Sequence, residues 1–363
     1  MLEEATAPND AIGVVVTDPT MSPEEPNGHS EPATSTSLSR IVGDATTANN
    51  RVHTRNFLFL GCETKKPYGP NIHTAQLFLD LFTLIIERYY INNHNPVDGQ
   101  LEKCQWKLSI KVYDVQKGQF PSITSPDEWD DYDGVILPGS FSSAYDDDSW
   151  IQTLKAVIQS RIVGDQRKTL AICFGHQIMA QSFFGNNSNG DDSESSSPVV
   201  KAPAARTGRC TMETTLTGRA LLEGKLKLDL FCSHGDMVQR LPTSAVCLGG
   251  SERVPIETAA YYGTKEEALA WKDSALVNRG ATMPTPFAIS FQSHPEYAAS
   301  IDLGLKRTLE GCMDAMESRG QIDKSYRMTA NQDAYDAFDQ VQDCSVETIA
   351  AVGRILGWFP PVP

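Results

Sequence analysis

Residues 169–180 read Thr169-Leu170-Ala171-Ile172-Cys173-Phe174-Gly175-His176-Gln177-Ile178-Met179-Ala180, and this stretch decides the fold. A short apolar run, written like a strand buried on both faces, ends in Cys173, and a helical pattern follows at once. Ala171 and Gly175, two places before and two after, are small enough to let the chain turn sharply and lift the cysteine above a sheet. A helix N-terminus beside a thiol also favours its reactive thiolate. A buried cysteine that merely closes a strand is the plainer alternative. The small-Cys-x-Gly frame at a strand-to-helix junction favours a presented nucleophile.

Working outward, the N-terminal side alternates strand and helix. Phe57-Leu58-Phe59-Leu60-Gly61 reads as a buried strand, and residues 74–90 carry Leu77, Leu81, Leu84 and Ile85 at helical spacing. An alternating strand at 108–113, a buried one at 134–137 and a helix over 149–163 lead into the cysteine strand. This βαβ order predicts an α/β sandwich with a parallel sheet covered on both faces. On the C-terminal side a helix at 176–184 precedes closely spaced strands at 209–214, 227–232, 245–248, 257–261 and 287–291. Their spacing predicts antiparallel hairpins added to the sheet. Helices at 301–318 and 332–356 close the chain.

The 363 residues hold 46 Asp and Glu against 31 Lys and Arg, a net charge of −15. Such a field repels polyanions and argues against a nucleic-acid binder. Residues 1–56 lack aromatics and carry eight acids against three arginines, so they read as a disordered acidic tail in which only 12–16 could pair as a strand. Residues 186–201, rich in Ser, Asn and Asp, read as a disordered insertion. The catalytic domain is then expected over 57–320, with 321–363 a helical extension packed on it. Eight scattered cysteines without CxxC or zinc-site spacing read as free thiols, with no metal and no cofactor expected. An acidic N-terminus and no apolar run of about 20 residues predict a cytoplasmic protein without membrane contact.

A nucleophilic thiol needs a base. Phe291-Gln292-Ser293-His294-Pro295-Glu296 follows the last strand, and an extended chain through Pro295 would turn His294 and Glu296 to one side. Glu296 would orient the imidazole, and His294 would take the thiol proton and later return it to a leaving amine. The oxyanion formed on attack would be met by the backbone N–H groups of Phe174 and of Gly139, in the turn Leu137-Pro138-Gly139-Ser140.

Together, Cys173-Phe174-Gly175-His176-Gln177 and His294-Pro295-Glu296 resemble the class I, or triad, glutamine amidotransferases, which implies a flavodoxin-like three-layer sandwich and a Cys173-His294-Glu296 triad. Ser233-His234-Gly235-Asp236-Met237-Val238 is similar to a segment of the glutaminase domain of GMP synthetase that holds the amino-acid end of glutamine. By position this makes Gln177, Ser233 and His234 substrate-binding candidates, with Ser140 beside them. Within that superfamily Tyr132-Asp133-Gly134, Pro138-Gly139-Ser140 and Ser143-Ala144-Tyr145-Asp146-Asp147 look like the stand-alone branch of plant γ-glutamyl peptidases and their fungal and yeast relatives. Residues 198–209 lack the Gly-Trp-Glu type signature of that branch.

The resemblance implies attack on a γ-glutamyl amide through a thioester. The substrate would be glutamine, with ammonia passed to a separate synthase, because neither a P-loop nor a pyrophosphatase loop occurs in the chain. The alternatives are a γ-glutamyl peptide such as a glutathione conjugate, or a non-catalytic binding subunit.

Overall fold

The computed structural model describes residues 35–43, 51–91, 104–122, 125, 127–184, 197–274 and 283–362. Its ten strands are β1 (Thr36–Val42), β2 (Arg51–Gly61), β3 (Cys104–Asp114), β4 (Gly134–Leu137), β5 (Thr169–Ile172), β6 (Val199–Thr214), β7 (Lys227–Val238), β8 (Ala245–Gly250), β9 (Thr258–Tyr261) and β10 (Ala288–Phe291). Among the described residues they form one sheet in the order β1-β3-β2-β4-β5-β10-β9-β8-β6-β7. Neighbours from β3 through β10 run parallel, β1 joins antiparallel at one edge, and β9, β8, β6 and β7 continue antiparallel on the other. The mixed flavodoxin-like sandwich, parallel through its centre with hairpins added, is therefore the observed architecture.

Both faces of the central strands are buried, as their unbroken apolar sequences require. Phe57 and Phe59 enter a core with Phe78 and Phe82 of α1 (Asn71–Ile86), whereas Leu58 and Leu60 enter the opposite core. That second core is closed by Ile151 and Leu154 of α3 (Ser149–Val157) and by Ile178 and Met179 of α4 (Phe174–Ser182). The remaining α-helices among the described residues are α2 (Asp127–Asp130), α5 (Leu216–Leu221), α6 (Lys265–Ser274), α7 (Glu310–Ser318), α8 (Lys324–Asp336) and α9 (Phe338–Ile355).

Several sequence expectations need correction. The proposed tail loses its last part to β1 and to the first half of β2: Leu38 and Val42 alternate inward, and β1 pairs with β3 from Thr36↔Val112 to Val42↔Trp106. The strand suggested at 12–16 lies outside the described residues. The insertion gives up its end to β6, which starts at Val199. The helix expected at 332–356 is two, broken at Ala337, and α8 starts earlier, where the Asp323 side chain accepts from the Tyr326 N–H. Cys210 and Cys232 form a disulfide between β6 and β7, with Cα atoms 6.0 Å apart, so they are not free thiols. Their separation of 22 residues gave no spacing cue, because cross-strand register alone brings them together.

The C-terminal segment is a structural part of the sandwich. Trp358 is buried against Phe57 and Phe82, and its indole N–H donates to the Asp133 carbonyl 2.9 Å away. Gly134 makes room for that ring, since a Cβ there would lie 2.4 Å from it. Trp358→Ala is expected to cost about 3–5 kcal/mol, seen as a lower urea midpoint. A loss below about 1 kcal/mol would mean that the segment is a loose appendage.

Candidate active site

Four parallel strands, β2, β4, β5 and β10, deliver their C-terminal ends to one edge of the sheet, where ligands of such folds bind. Each carries a piece of the site: Glu63 beyond β2, Gly139 beyond β4, Cys173 after β5, and Gln292 to His294 after β10. Cys173 caps α4 with φ 53° and ψ −105°, a conformation side chains avoid. It is held there by its own N–H donating to the Phe291 carbonyl at 2.7 Å and by the Gly175 N–H donating to the Pro138 carbonyl at 3.1 Å. A Cβ on Gly175 would lie 2.2 Å from the Leu137 carbonyl oxygen, which explains the glycine of the elbow.

His294 Nδ1 and Glu296 Oε1 are 2.7 Å apart, both side chains fully buried. They meet by a different route from the extended chain expected: residues Pro295–Ala299 form a 3₁₀ turn, begun by the proline, that brings the Glu296 carboxylate back to the Nδ1 edge of the ring. Burial alone would lower the His294 pKa, but the Glu296 carboxylate and the Cys173 sulfur beside the ring outweigh it and raise it to about 10. Tyr297 stacks on the imidazole at 4.1 Å and 8°, and its hydroxyl donates to Tyr68 at 3.0 Å, so one face of the ring is sealed.

Gly139 lies against the same group, because a Cβ there would come within 2.8 Å of His294 and 3.6 Å of the Cys173 Cβ. Phe174 is the first residue of α4, where backbone N–H groups have no intrahelical acceptor. Gly139 and Phe174 therefore both lie beside the sulfur-bearing residue, one by contact and one by chain adjacency. Sequence reading missed what fixes this turn. Glu63, 2% exposed, accepts from the N–H groups of Thr64 (2.9 Å) and Lys65 (2.8 Å) with one oxygen, and from the Phe141 N–H (2.9 Å) and Ser140 Oγ (3.3 Å) with the other. The only available signal was an acid two residues past the end of a buried strand.

A cavity of about 480 Å³ opens onto Cys173. All four substrate-binding candidates line it, but they are differently engaged. Ser140 donates to Glu63, and the Gln177 amide donates to the Asp236 carbonyl and to Gln292. The Ser233 hydroxyl faces Met316, and its carbonyl lies 3.7 Å from Cys173 Sγ. His234 donates from Nδ1 to the Asp236 carbonyl, which leaves Nε2 as a buried acceptor without a partner among the described residues. Burial, with Arg206 nearby, lowers its pKa to about 3, so it is neutral. His176 is a core residue bonded to Ser290 and the Ile256 carbonyl. The wall also includes Asp236, from the 233–238 segment singled out in the sequence, and three parts that sequence reading did not assign to the site: the 201–205 segment of β6, Met316 of α7, and Arg319 and Gln321 just after it. Among the described residues no cluster of three His, Cys, Asp or Glu side chains could hold a metal, and no helix is long and apolar enough to cross a membrane.

Because the His294 pKa lies above its unfolded value of about 6.5, its protonation stabilises the fold fully below that pH, and the contribution disappears as pH rises toward about 10. Urea unfolding from pH 6 to 10 should show stability falling across this window, with a shallower fall in Glu296→Gln. Parallel profiles for the two proteins would contradict the assignment.

Residues 89–302 match the family model described as glutamine amidotransferase class-I. A γ-glutamyl peptidase 5 of Arabidopsis thaliana is 31% identical over 160 residues, 43% of this chain and 57% of the relative, so the match spans just over half of that protein. A glutamine amidotransferase-like protein of Schizosaccharomyces pombe is 23% identical over 217 residues, 57% of this chain and 69% of the relative. The crystal structure of a glutamine amidotransferase of Thermotoga maritima shares the fold at a TM-score of 0.52 and 17% identity, covering 84% of this chain and 99% of that one. With more than half its length matched to the family model and a sandwich of the same architecture, the chain belongs to the glutamine amidotransferase class-I family.

Proposed function

We propose that the protein is a thiol enzyme that cleaves γ-glutamyl amides through a thioester on Cys173. The observation that carries this reading is a strained cysteine at the floor of an open cavity, beside a buried imidazole hydrogen-bonded to a buried carboxylate. The Cys173 thiolate attacks the γ-carbonyl, and the oxyanion is met by the Gly139 and Phe174 N–H groups. His294, protonated and oriented by Glu296, gives its proton to the departing nitrogen. Ammonia or an amine leaves, and the glutamyl thioester remains. Water then attacks the thioester, His294 takes its proton, and glutamate departs as the thiolate returns.

Glutamine and γ-glutamyl peptides pass through the same thioester, and the leaving group alone separates them. With glutamine the ammonia would serve a separate synthase. A cavity of about 480 Å³ is larger than a glutamine side chain needs and favours a γ-glutamyl peptide with an extended amine half.

Product analysis with glutamine and glutathione offered side by side tests the reading. Release of cysteinylglycine from glutathione supports peptide cleavage, ammonia from glutamine alone supports glutaminase chemistry, and no product from either contradicts the enzyme assignment for the isolated chain. Cys173→Ala should abolish whichever turnover is seen. Glu63 acts as a positioning residue, since Glu63→Gln would set an amide N–H against backbone N–H groups on one side or the other, those of Thr64 and Lys65 or that of Phe141, and loosen the Gly139 turn. That variant should lose on the order of 10- to 100-fold in kcat, with little change in KM. A loss confined to KM would place Glu63 in substrate binding instead.

A further inference from the structure

The cavity offers more positive charge than a glutamyl group can use. Its lining contains two cations, Lys201 and Arg319, and one acid, Asp236. Among the described residues neither cation lies within salt-bridge distance of a carboxylate, and the acids of α7 near Arg319 are already engaged, Asp314 and Glu317 both pairing with Arg327. Two unpaired cations at one cavity of a chain with net charge −15 call for an anionic ligand.

Lys201 and Asp236 are register partners on the antiparallel strands β6 and β7, so their side chains leave the sheet side by side. One plus and one minus so placed match the α-carboxylate and α-ammonium of an amino acid. Asp236 is already steadied for this by the Ser143 and Tyr145 hydroxyls. Arg319 is mounted elsewhere, after α7, with its guanidinium over the Phe141 ring at 4.7 Å. Phe141 is itself tied to Glu63 beside the Gly139 turn. A guanidinium fixed on an aromatic face keeps its planar fork free for a carboxylate.

We propose that Arg319 is a specificity-determining residue that binds a carboxylate on the amine half of the substrate, while Lys201 and Asp236 hold the zwitterionic glutamyl end. The charge count supports it: a γ-glutamyl peptide with a free C-terminus carries one ammonium and two carboxylates, whereas glutamine carries one of each and leaves Arg319 unused. This inference rests on the γ-glutamyl reading of the site. It adds a determinant that lies beyond residues 89–302, the segment that matches the family model.

Calorimetric titration of the full-length chain carrying Cys173→Ala tests it without turnover, using glutathione and γ-glutamyl-p-nitroanilide, whose amine half has no carboxylate. Adding Arg319→Gln should weaken glutathione about tenfold, as expected for one charge-assisted contact at an exposed site, and leave the anilide within twofold. Adding Lys201→Gln should weaken both ligands alike. Equal losses for both ligands with Arg319→Gln, no loss for either, or no binding of either ligand before that change would overturn the proposal. Turnover by the Cys173 protein is scored separately: selective binding without cleavage refutes the thiol-enzyme reading and leaves the Arg319 assignment standing.

Discussion

The backbone at Cys173 is the constraint on which the rest of the site depends. A non-glycine residue at φ 53° costs on the order of 1–3 kcal/mol and persists only where its surroundings leave no alternative. Here β10 holds the residue's N–H, the β4 turn holds the N–H of Gly175, and the Cys173 carbonyl accepts the Gln177 N–H that starts α4. Three elements distant in sequence therefore meet at one peptide. The same contacts bring the β4 turn and the end of β10 within reach of the sulfur, so strain at the elbow and assembly of the site are one structural event.

Buried carboxylates are handled around that point by hydrogen bonds, and by a permanent cation in only one case. Glu296 faces an imidazole, and Glu63 faces three N–H groups and a hydroxyl. Glu257 meets Arg206, which in turn helps keep His234 neutral. Two of these acids join separate segments: Glu63 ties the end of β2 to the β4 turn, and Glu257 ties the segment before β9 to β6. Removing one partner would strand a desolvated charge, so these positions tolerate little change.

Most of the architecture was legible because buried parallel strands are written as unbroken apolar runs, and β4, β5 and β10 were placed almost to the residue. The elbow was legible because its small residues answer a local steric demand. What escaped has a common physical character. β1 is half-exposed and mostly polar, and only its pairing with β3 makes it a strand. The Cys210–Cys232 pair, the Glu63 contacts and the cavity wall at 201–205 and 316–321 depend on register and long-range packing that no local pattern encodes. The His294–Glu296 contact was foreseen on a wrong premise, since it is a 3₁₀ turn that joins them.

The central claim is that Cys173 is an activated nucleophile at a site that receives a γ-glutamyl group. Its most direct test is the rate of alkylation by a chloroketone derived from glutamine, mapped residue by residue by mass spectrometry. The account predicts that Cys173 reacts first, far faster than the partly exposed Cys104, Cys247 and Cys344, and that excess glutamine or glutathione slows it. Labelling of Cys173 at the same rate as those cysteines, with no protection by either compound, would contradict it.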